Sequence, residues 1–341
     1  MEFLKNCWYA AGWASEIKDN CALSRRICDI PIAFFRHNGE IQAIVDTCPH
    51  RFAPLSRGSV VNGALVCGYH GLAFDGSGAC VHNPHGPVTK NMKVGSFAAV
   101  ERHELIWLWM GEKAEAQEKL IPDLSFQSTA KETAISFGYI YGKANYLLYV
   151  DNIMDLSHVD FLHASTLGGG SIVGSKQNTQ ETDNELTVRW SLYDVPPSPL
   201  HTSLGSFPPN TKMDRFTEVV WYPPGTMVLI SAFGAIGSKE SDFSKVLNVN
   251  IMVPETKDTM HYFFSSSRNF KTEDQEFNKI YSERRDYIFN TEDKPMIDAV
   301  QSRMEDGDLF DMNPLLLKID NAAIRVRRKL AEMIKSENSL E

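Results

Sequence analysis

Beyond Cys80 the chain has no cysteine: all six, at positions 7, 21, 28, 48, 67 and 80, fall in the first quarter of its 341 residues. The start, MEFLKNCWYAAGW, has neither a basic lead into a long apolar stretch nor a small-residue cleavage site, so no signal peptide is read and the cytoplasm is the expected compartment. A disulfide framework is not expected in so long a chain without such a signal. Long apolar runs are missing too; the longest, such as Leu105 to Met110, are far too short to span a bilayer. Positive charge is scarce, with 34 Lys and Arg against 43 Asp and Glu and a net charge of −9, which argues against a polyanionic partner. The one dense basic run, RVRRK at 325–329, reads as a solvated helix face. What is present, 43% hydrophobic and 23% charged residues, suits a globular protein long enough for two domains.

Residues 1–111 read as β-rich. Apolar strands flank the turn signals Asn38-Gly39 and Asp75-Gly76, and AVERHELIWLWMG (99–111) reads as a closing hairpin. The polar stretch 112–120 reads as a linker, which places a boundary near 115 and domains at 1–115 and 116–341. The second begins with a strand running into a helical pattern at 135–165. Strands follow at 184–194, 216–222, 226–235, 245–253 and 259–266, then helices at about 272–305 and 314–338. That order describes an α+β domain with helices covering an antiparallel sheet. Gly-, Ser- and Pro-rich stretches at 168–180, 196–212 and 235–244 read as loops.

Two Cys-His pairs stand close together in the first domain, Cys48-x-His50 and Cys67-x2-His70. A structural zinc site could use such a set, but zinc fingers pair cysteine with cysteine and histidine with histidine. One ligand of each kind per loop suits a Rieske [2Fe-2S] centre, in which cysteines hold one iron and histidines the other. Replacing two thiolates by imidazoles raises the potential to about −150 to +300 mV, so the unit would accept and pass on single electrons. Cys7, Cys21, Cys28 and Cys80 read as buried free thiols. His82 and His85 read as ordinary polar residues of their loop.

An electron carrier implies an acceptor. DNIMDLSHVDFLH (151–163) sets His158 and His163 five residues apart in a helical context, where their rings would diverge by about 140° unless the helix breaks. Two histidines and one carboxylate form the facial triad of non-haem Fe(II) oxygenases. Taken alone, the pair is also compatible with two incidental helix histidines. For the carboxylate, NTEDKPMIDAVQSRM (290–304) reads as a helix N-capped by Thr291. Asp293 there heads an otherwise apolar stripe with Ile297, Val300 and Met304, while Asp298 shares a polar face. An ordinary first-turn acid is the alternative for Asp293. Asp155, three residues before His158, can meet that ring from the adjacent turn, and its carboxylate could also bridge to a cluster histidine.

With NCWYAAGW, DTCPHRFAPLSRG, CGYHGLAFDGSGACVHNPHG, DNIMDLSHVDFLHAS, VPETKDTMHYFFSSSRNF and TEDK, the chain resembles the oxygenase components of Rieske non-haem iron oxygenases, the vanillate and dicamba O-demethylase group in particular. The resemblance implies an all-β Rieske domain followed by an α+β, helix-grip-like catalytic domain with an antiparallel sheet. It implies cluster ligation by Cys48, His50, Cys67 and His70, and a mononuclear Fe(II) on His158, His163 and Asp293. It further implies a head-to-tail homotrimer, in which the cluster of one subunit serves the iron of the next through Asp155, which touches the histidine matching His70. Electrons would come from NAD(P)H through a separate reductase carrying flavin and a plant-type cluster, since the chain has no GxGxxG and no ferredoxin cysteine set. The implied reaction is monooxygenation of a small aromatic compound, O-demethylation first, with methyl hydroxylation, N-demethylation and ring hydroxylation open on the same metals. An electron carrier with a non-catalytic binding domain is the alternative of another class. Dicamba-type relatives have a histidine where this chain has Asn250 and a tryptophan near Arg284, so a histidine contact to substrate is not implied. Arg284 or Arg285 could meet an anionic substrate, although both read as exposed helix arginines.

Overall fold

Asn38 and Gly39 both take the left-handed conformation (φ 51° and 83°), the geometry of a two-residue hairpin turn that matches strand twist. His103 and Glu104 do the same at φ 55° and 66°, and the strands on either side pair as the sequence pattern expects. The Asp75-Gly76 signal works differently. The Asp75 carboxylate accepts from Ser77 N and Oγ, and the left-handed residue is Gly78 (φ 80°), whose Cβ would strike Val94 O. The side chain of Asp75 thus replaces a tight two-residue turn by a longer loop.

The computed structural model describes residues 2–168, 172–173, 175–203, 208, 210–304 and 308–339. Two compact units emerge, one built on Glu2–Asp123, the other on Leu124–Met252 and Asp258–Met333. In the first, the strands are β1 (Trp8–Trp13), β2 (Leu23–Ile27), β3 (Ile30–His37), β4 (Glu40–Val45), β5 (Ser59–Val61), β6 (Ala64–Val66), β7 (Ala73–Phe74), β8 (Cys80–His82), β9 (Ser96–Arg102) and β10 (Leu105–Trp109). They make a six-stranded sheet of order β1-β10-β9-β4-β3-β2 and a four-stranded sheet β5-β6-β7-β8. Phe35, Ile44, Leu55, Leu65 and Phe74 pack into one buried cluster with Cys48 and Cys67. Each such large apolar side chain contributes on the order of 1.5–3 kcal/mol, enough to seat the two cysteine loops firmly.

The second unit is a seven-stranded antiparallel sheet with helices, the α+β arrangement expected. Its strands are β11 (Ile135–Gly142), β12 (Lys176–Glu181), β13 (Leu186–Val195), β14 (Met213–Tyr222), β15 (Thr226–Gly234), β16 (Ser244–Pro254) and β17 (Met260–Arg268), ordered β11-β17-β16-β15-β14-β13-β12. β12 falls in a stretch read as loop. It is a wholly polar edge strand, KQNTQE, so no apolar alternation announces it. The helices are α1 (Phe126–Thr129), α2 (Tyr146–Met154), α3 (Pro199–Ser203), α4 (Gln275–Ile288), α5 (Lys294–Met304) and α6 (Asn321–Asn338). The basic run on α6 is not a solvated face throughout. Arg327 is buried and grips the Asp151 carboxylate of α2 through Nε and Nη2 at 2.7–3.0 Å, while Arg325 and Lys329 reach Glu181. The polar face of α5 is likewise engaged: Asp298 meets Lys294 and the Tyr149 hydroxyl, and Gln301 accepts from Asn145 N. Among the described residues no helix is long and apolar enough to cross a membrane.

Candidate metal centres

The two Cys-His loops have the same backbone. Cys48 N donates to Ala53 O and Phe52 N returns to Cys48 O, both at 2.9 Å; Cys67 N donates to Leu72 O (2.7 Å) and Gly71 N returns to Cys67 O (3.0 Å). Each loop closes on a left-handed residue, Phe52 at φ 57° and Gly71 at φ 75°. Phe52 is the strained member, because a Cβ costs roughly 1–2 kcal/mol in that conformation. Asp46 holds the base of the first loop, accepting from Ser56 N, Ser56 Oγ and Ser24 Oγ at 2.6–2.8 Å.

These turns bring all four predicted ligands to one place. Cys48 and Cys67 are both buried at 2% exposure, and burial, with the neighbouring Cys67 adding to it, pushes the Cys48 thiol up. The His50 and His70 rings stand 4.5 Å apart between centroids on the open side. Paired thiols below and paired imidazoles above fit a two-iron cluster with sulfur ligands inward and nitrogen ligands outward. The His85 ring meets the His70 carbonyl (3.0 Å) and stands edge-on to the His70 ring at 6.3 Å between centroids, and Cys80 Sγ donates to the His82 carbonyl. Cys7 and Cys80 are buried thiols as expected, whereas Cys21 is exposed.

The second site starts where α2 stops. Asn145 caps its N-terminus through Leu147 N (2.9 Å), and the helix ends at Met154. Asp155 then adopts an extended conformation and caps a short 3-10 turn, its carboxylate accepting from Ser157 N (2.9 Å) and Ser157 Oγ (3.1 Å). This supplies the helix break that two histidines five apart require. The carboxylate does not touch His158, contrary to the expected contact. The Asp155 main-chain carbonyl does so, accepting from His158 Nδ1 at 2.6 Å, because the carboxylate is committed to capping. His158 Nε2 is thereby left as the ligand atom.

His163 is gripped at both ring nitrogens, Nδ1 by Glu292 at 2.5 Å and Nε2 by Asp293 at 3.1 Å. His158 Nε2 lies 3.5 Å from the same Asp293 oxygen, to which Asn152 Nδ2 also donates at 3.1 Å. One ligand atom each from His158, His163 and Asp293 falls within 4.8 Å of the others. Burial alone would raise the Asp293 carboxyl, but the hydrogen bonds from His158 and His163 outweigh it and hold the group at about 2. Burial opposes a charge on His163, yet Asp293 and Glu292 raise its affinity for a proton. Three convergent donors, two imidazole and one carboxylate, fit a divalent iron with coordination positions to spare.

Asp293 does not sit in the first turn of a new helix. Phe289–Asp293 is a π-helical turn running without a break from α4 into α5. Thr291 does not cap it: its hydroxyl donates back to Tyr287 O at 2.8 Å, the competing bond open to threonine in a continuing helix. The extra residue of the π turn lets the adjacent acids Glu292 and Asp293 address opposite sides of one imidazole. Ile297 and Met304 follow on the buried side as expected, but Val300 is exposed. Glu292 and Asn152 escaped the sequence reading. Their adjacency to Asp293 and to the DNIMD segment was the only available signal.

A cavity of about 240 Å³ opens over the triad. Phe216, Phe233, Phe264 and Phe289 line it, with Asn248 and Asn250 from β16. Asn250 is buried and already bonded, accepting from the Tyr262 hydroxyl (2.7 Å) and donating to Asn248 O (3.3 Å). Arg284 and Arg285 both line the cavity, and Arg285 is not an exposed arginine. Its guanidinium lies 4.3 Å over the Phe264 ring.

One unit that is all-β and presents paired thiols and imidazoles, and a second whose triad can bind iron under an aromatic-walled cavity, together define the oxygenase component of a Rieske non-haem iron monooxygenase. Comparison with known proteins agrees. Residues 7–93 match the Rieske [2Fe-2S] domain and residues 143–336 the vanillate O-demethylase oxygenase C-terminal domain. The chain is 35% identical to the oxygenase component of dicamba O-demethylase from Stenotrophomonas maltophilia, over 98% of each. It is 33% identical to the chloroacetanilide N-alkylformylase oxygenase component of Rhizorhabdus wittichii, over 98% and 97%. Crystalline dicamba monooxygenase bound to 3,6-dichlorosalicylic acid superposes with a TM-score of 0.91 at 34% identity, covering 99% of both chains. The chain belongs to the vanillate O-demethylase oxygenase family, and as an oxygenase component it draws electrons from a reductase or ferredoxin partner.

Proposed function

We propose that the enzyme O-demethylates a small aryl methyl ether to a phenol and formaldehyde. The observation that carries this is the His158, His163 and Asp293 triad beneath a cavity sized for one aromatic ring, in a chain so similar to an O-demethylase. Iron at the triad supplies dioxygen activation, and a cluster on Cys48, His50, Cys67 and His70 supplies electrons singly. The protein's own part is orientation. Asp155 O and Glu292 hold the two histidines in the tautomer that presents Nε2, and Asn152 steadies Asp293. The phenyl walls would hold the aromatic ring of the substrate beside the triad. Hydroxylating that carbon, at the expense of O2, two electrons and two protons, leaves a hemiacetal and water. The hemiacetal then collapses to phenol and formaldehyde.

The electrons originate in NAD(P)H and pass through a flavin-containing reductase, a route that suits the cytoplasm. A homotrimer completes the reading. Phe52 (78% exposed) and Tyr69 (62%) flank the cluster histidines as an apolar tip. A separate groove lined by Asp155 and His158 is walled by Leu315, 87% exposed, and Leu316. Docking of one copy's tip on the next copy's groove would let Asp155 connect the two centres. N-dealkylation is the second reading, favoured by the similarity to the N-alkylformylase. The test is oxygen uptake by the reconstituted enzyme with reductase on methoxybenzoates, N-methylanilines and methylbenzoates, with formaldehyde assayed. Formaldehyde from the ethers, in step with oxygen consumed, is the expected result. None from any ether would remove the demethylase assignment.

A further inference from the structure

The cavity over the triad is electrostatically one-sided. Its lining carries the cations Arg215, Arg284 and Arg285 against the acids Asp160 and Asp293. Asp293 belongs with the metal, and a divalent ion on the triad would more than cancel it. Asp286, beside Arg285, offsets part of this charge; with a divalent ion on the triad the remainder is positive, in a phenyl-walled space, and favours an anionic guest.

Two of these arginines have a buried N–H that no acceptor among the described residues meets, Arg215 at Nε and Arg285 at Nη1, and of the two it is Arg285 that lies over a phenyl ring of the cavity lining, Phe264. Arg285 Nε and Nη2 both face the Asp286 carboxylate, at 3.3 and 3.1 Å, on the neighbouring residue of α4. Nη1 is buried and has no hydrogen-bond partner among the described residues. A buried donor without an acceptor is costly, and such groups in native proteins are commonly completed by a ligand or water. The guanidinium carbon also lies 4.3 Å from the centre of the Phe264 ring, a cation–π contact that helps hold the group in place. Asn250, whose Oδ1 accepts from Tyr262 and whose Nδ2 donates to Asn248 O, has one neutral N–H left and no charge to set against an anion.

We infer that Arg285 is the specificity-determining residue of this oxygenase and that its open N–H receives an oxygen of an anionic substituent, a carboxylate or sulfonate, on a single-ring aromatic substrate. This rests on the reading that the cavity over the triad is the substrate site. Arg284, which is exposed, adds long-range attraction, whereas Arg285 makes the contact.

Binding rather than turnover tests it. The three methoxybenzoate isomers and the matching methoxybenzamides, neutral and nearly isosteric, are titrated anaerobically by calorimetry into the holoenzyme and into Arg285→Gln, Arg284→Gln and Arg215→Gln. In the unaltered enzyme at least one acid binds about 10-fold or more tighter than its amide, the ratio expected for a charge-assisted hydrogen bond. Arg285→Gln abolishes that preference while amide affinity stays within about 3-fold, which also shows that the cavity is intact. Equal binding of acid and amide, or no binding by any acid, overturns the inference. So does a preference that survives Arg285→Gln, one removed by Arg215→Gln or Arg284→Gln instead, or an equal loss of both ligands in Arg285→Gln. Acids that bind through Arg285 while no ether yields formaldehyde would sink the demethylase reading and leave this one standing.

Discussion

At the scale of single residues, the site depends on which atom of each side chain is already spoken for. His158 and His163 can present Nε2 to a metal because their Nδ1 atoms are engaged, one by the Asp155 carbonyl, the other by Glu292. A carboxylate behind a ligating imidazole fixes its tautomer and raises its basicity. Glu292→Gln keeps the shape but removes the charge. Iron affinity should fall about 10- to 100-fold, read as iron retained against graded chelator, while cluster absorbance is unchanged. Thr166, whose hydroxyl donates to Glu292 at 2.9 Å, keeps that carboxylate in place. The anion subsite follows the same logic, with one guanidinium nitrogen left over.

At the scale of elements, two irregularities matter more than the regular helices they interrupt. The end of α2 at Met154 separates His158 from the helix that would have turned its ring away from His163. The π turn at Phe289–Asp293 inserts one residue's worth of rotation between α4 and α5. Deleting Asn290 should convert that turn to continuous α-helix and rotate Asp293 by about 100° relative to α4. Loss of this ligand should weaken iron binding on the order of 100-fold while the cluster's visible spectrum persists. Iron bound at normal affinity in the deletion variant would show that the bulge does not aim Asp293.

At the scale of the whole molecule, the proposed trimer would pass electrons between centres of adjoining subunits, and Asp155 is the residue proposed to carry that path. Its carboxylate caps Ser157, so Asp155→Asn preserves an acceptor for the same cap and should fold and bind both metals. If the carboxylate links the centres of adjoining subunits, coupled turnover should nevertheless fall by about 10- to 100-fold, with sedimentation still reporting a trimer. Normal turnover by that variant would dismiss the bridge. The buried Arg327 and Asp151 pair clamps α6 onto α2, the helix that ends immediately before Asp155.

The sequence alone settled what is local. The convergence of Cys48 with His50 and of Cys67 with His70 was legible because each pair lies within one tight loop, where backbone turns leave few alternatives. Strand positions in the second sheet were readable wherever one face is buried, and failed at β12, which buries little. The meeting of the triad was only partly legible. Asp293 could be singled out by its apolar stripe, but Glu292 and Asn152 could not, and Asp155 was assigned the wrong contact atom. Tertiary structure decided these, because residues 129 and 130 positions apart reach His163 only after α4 and α5 have packed beside the end of α2. A π turn leaves no mark on a 3.6-residue hydrophobic pattern, so its consequence appears only when the side chains are placed in space.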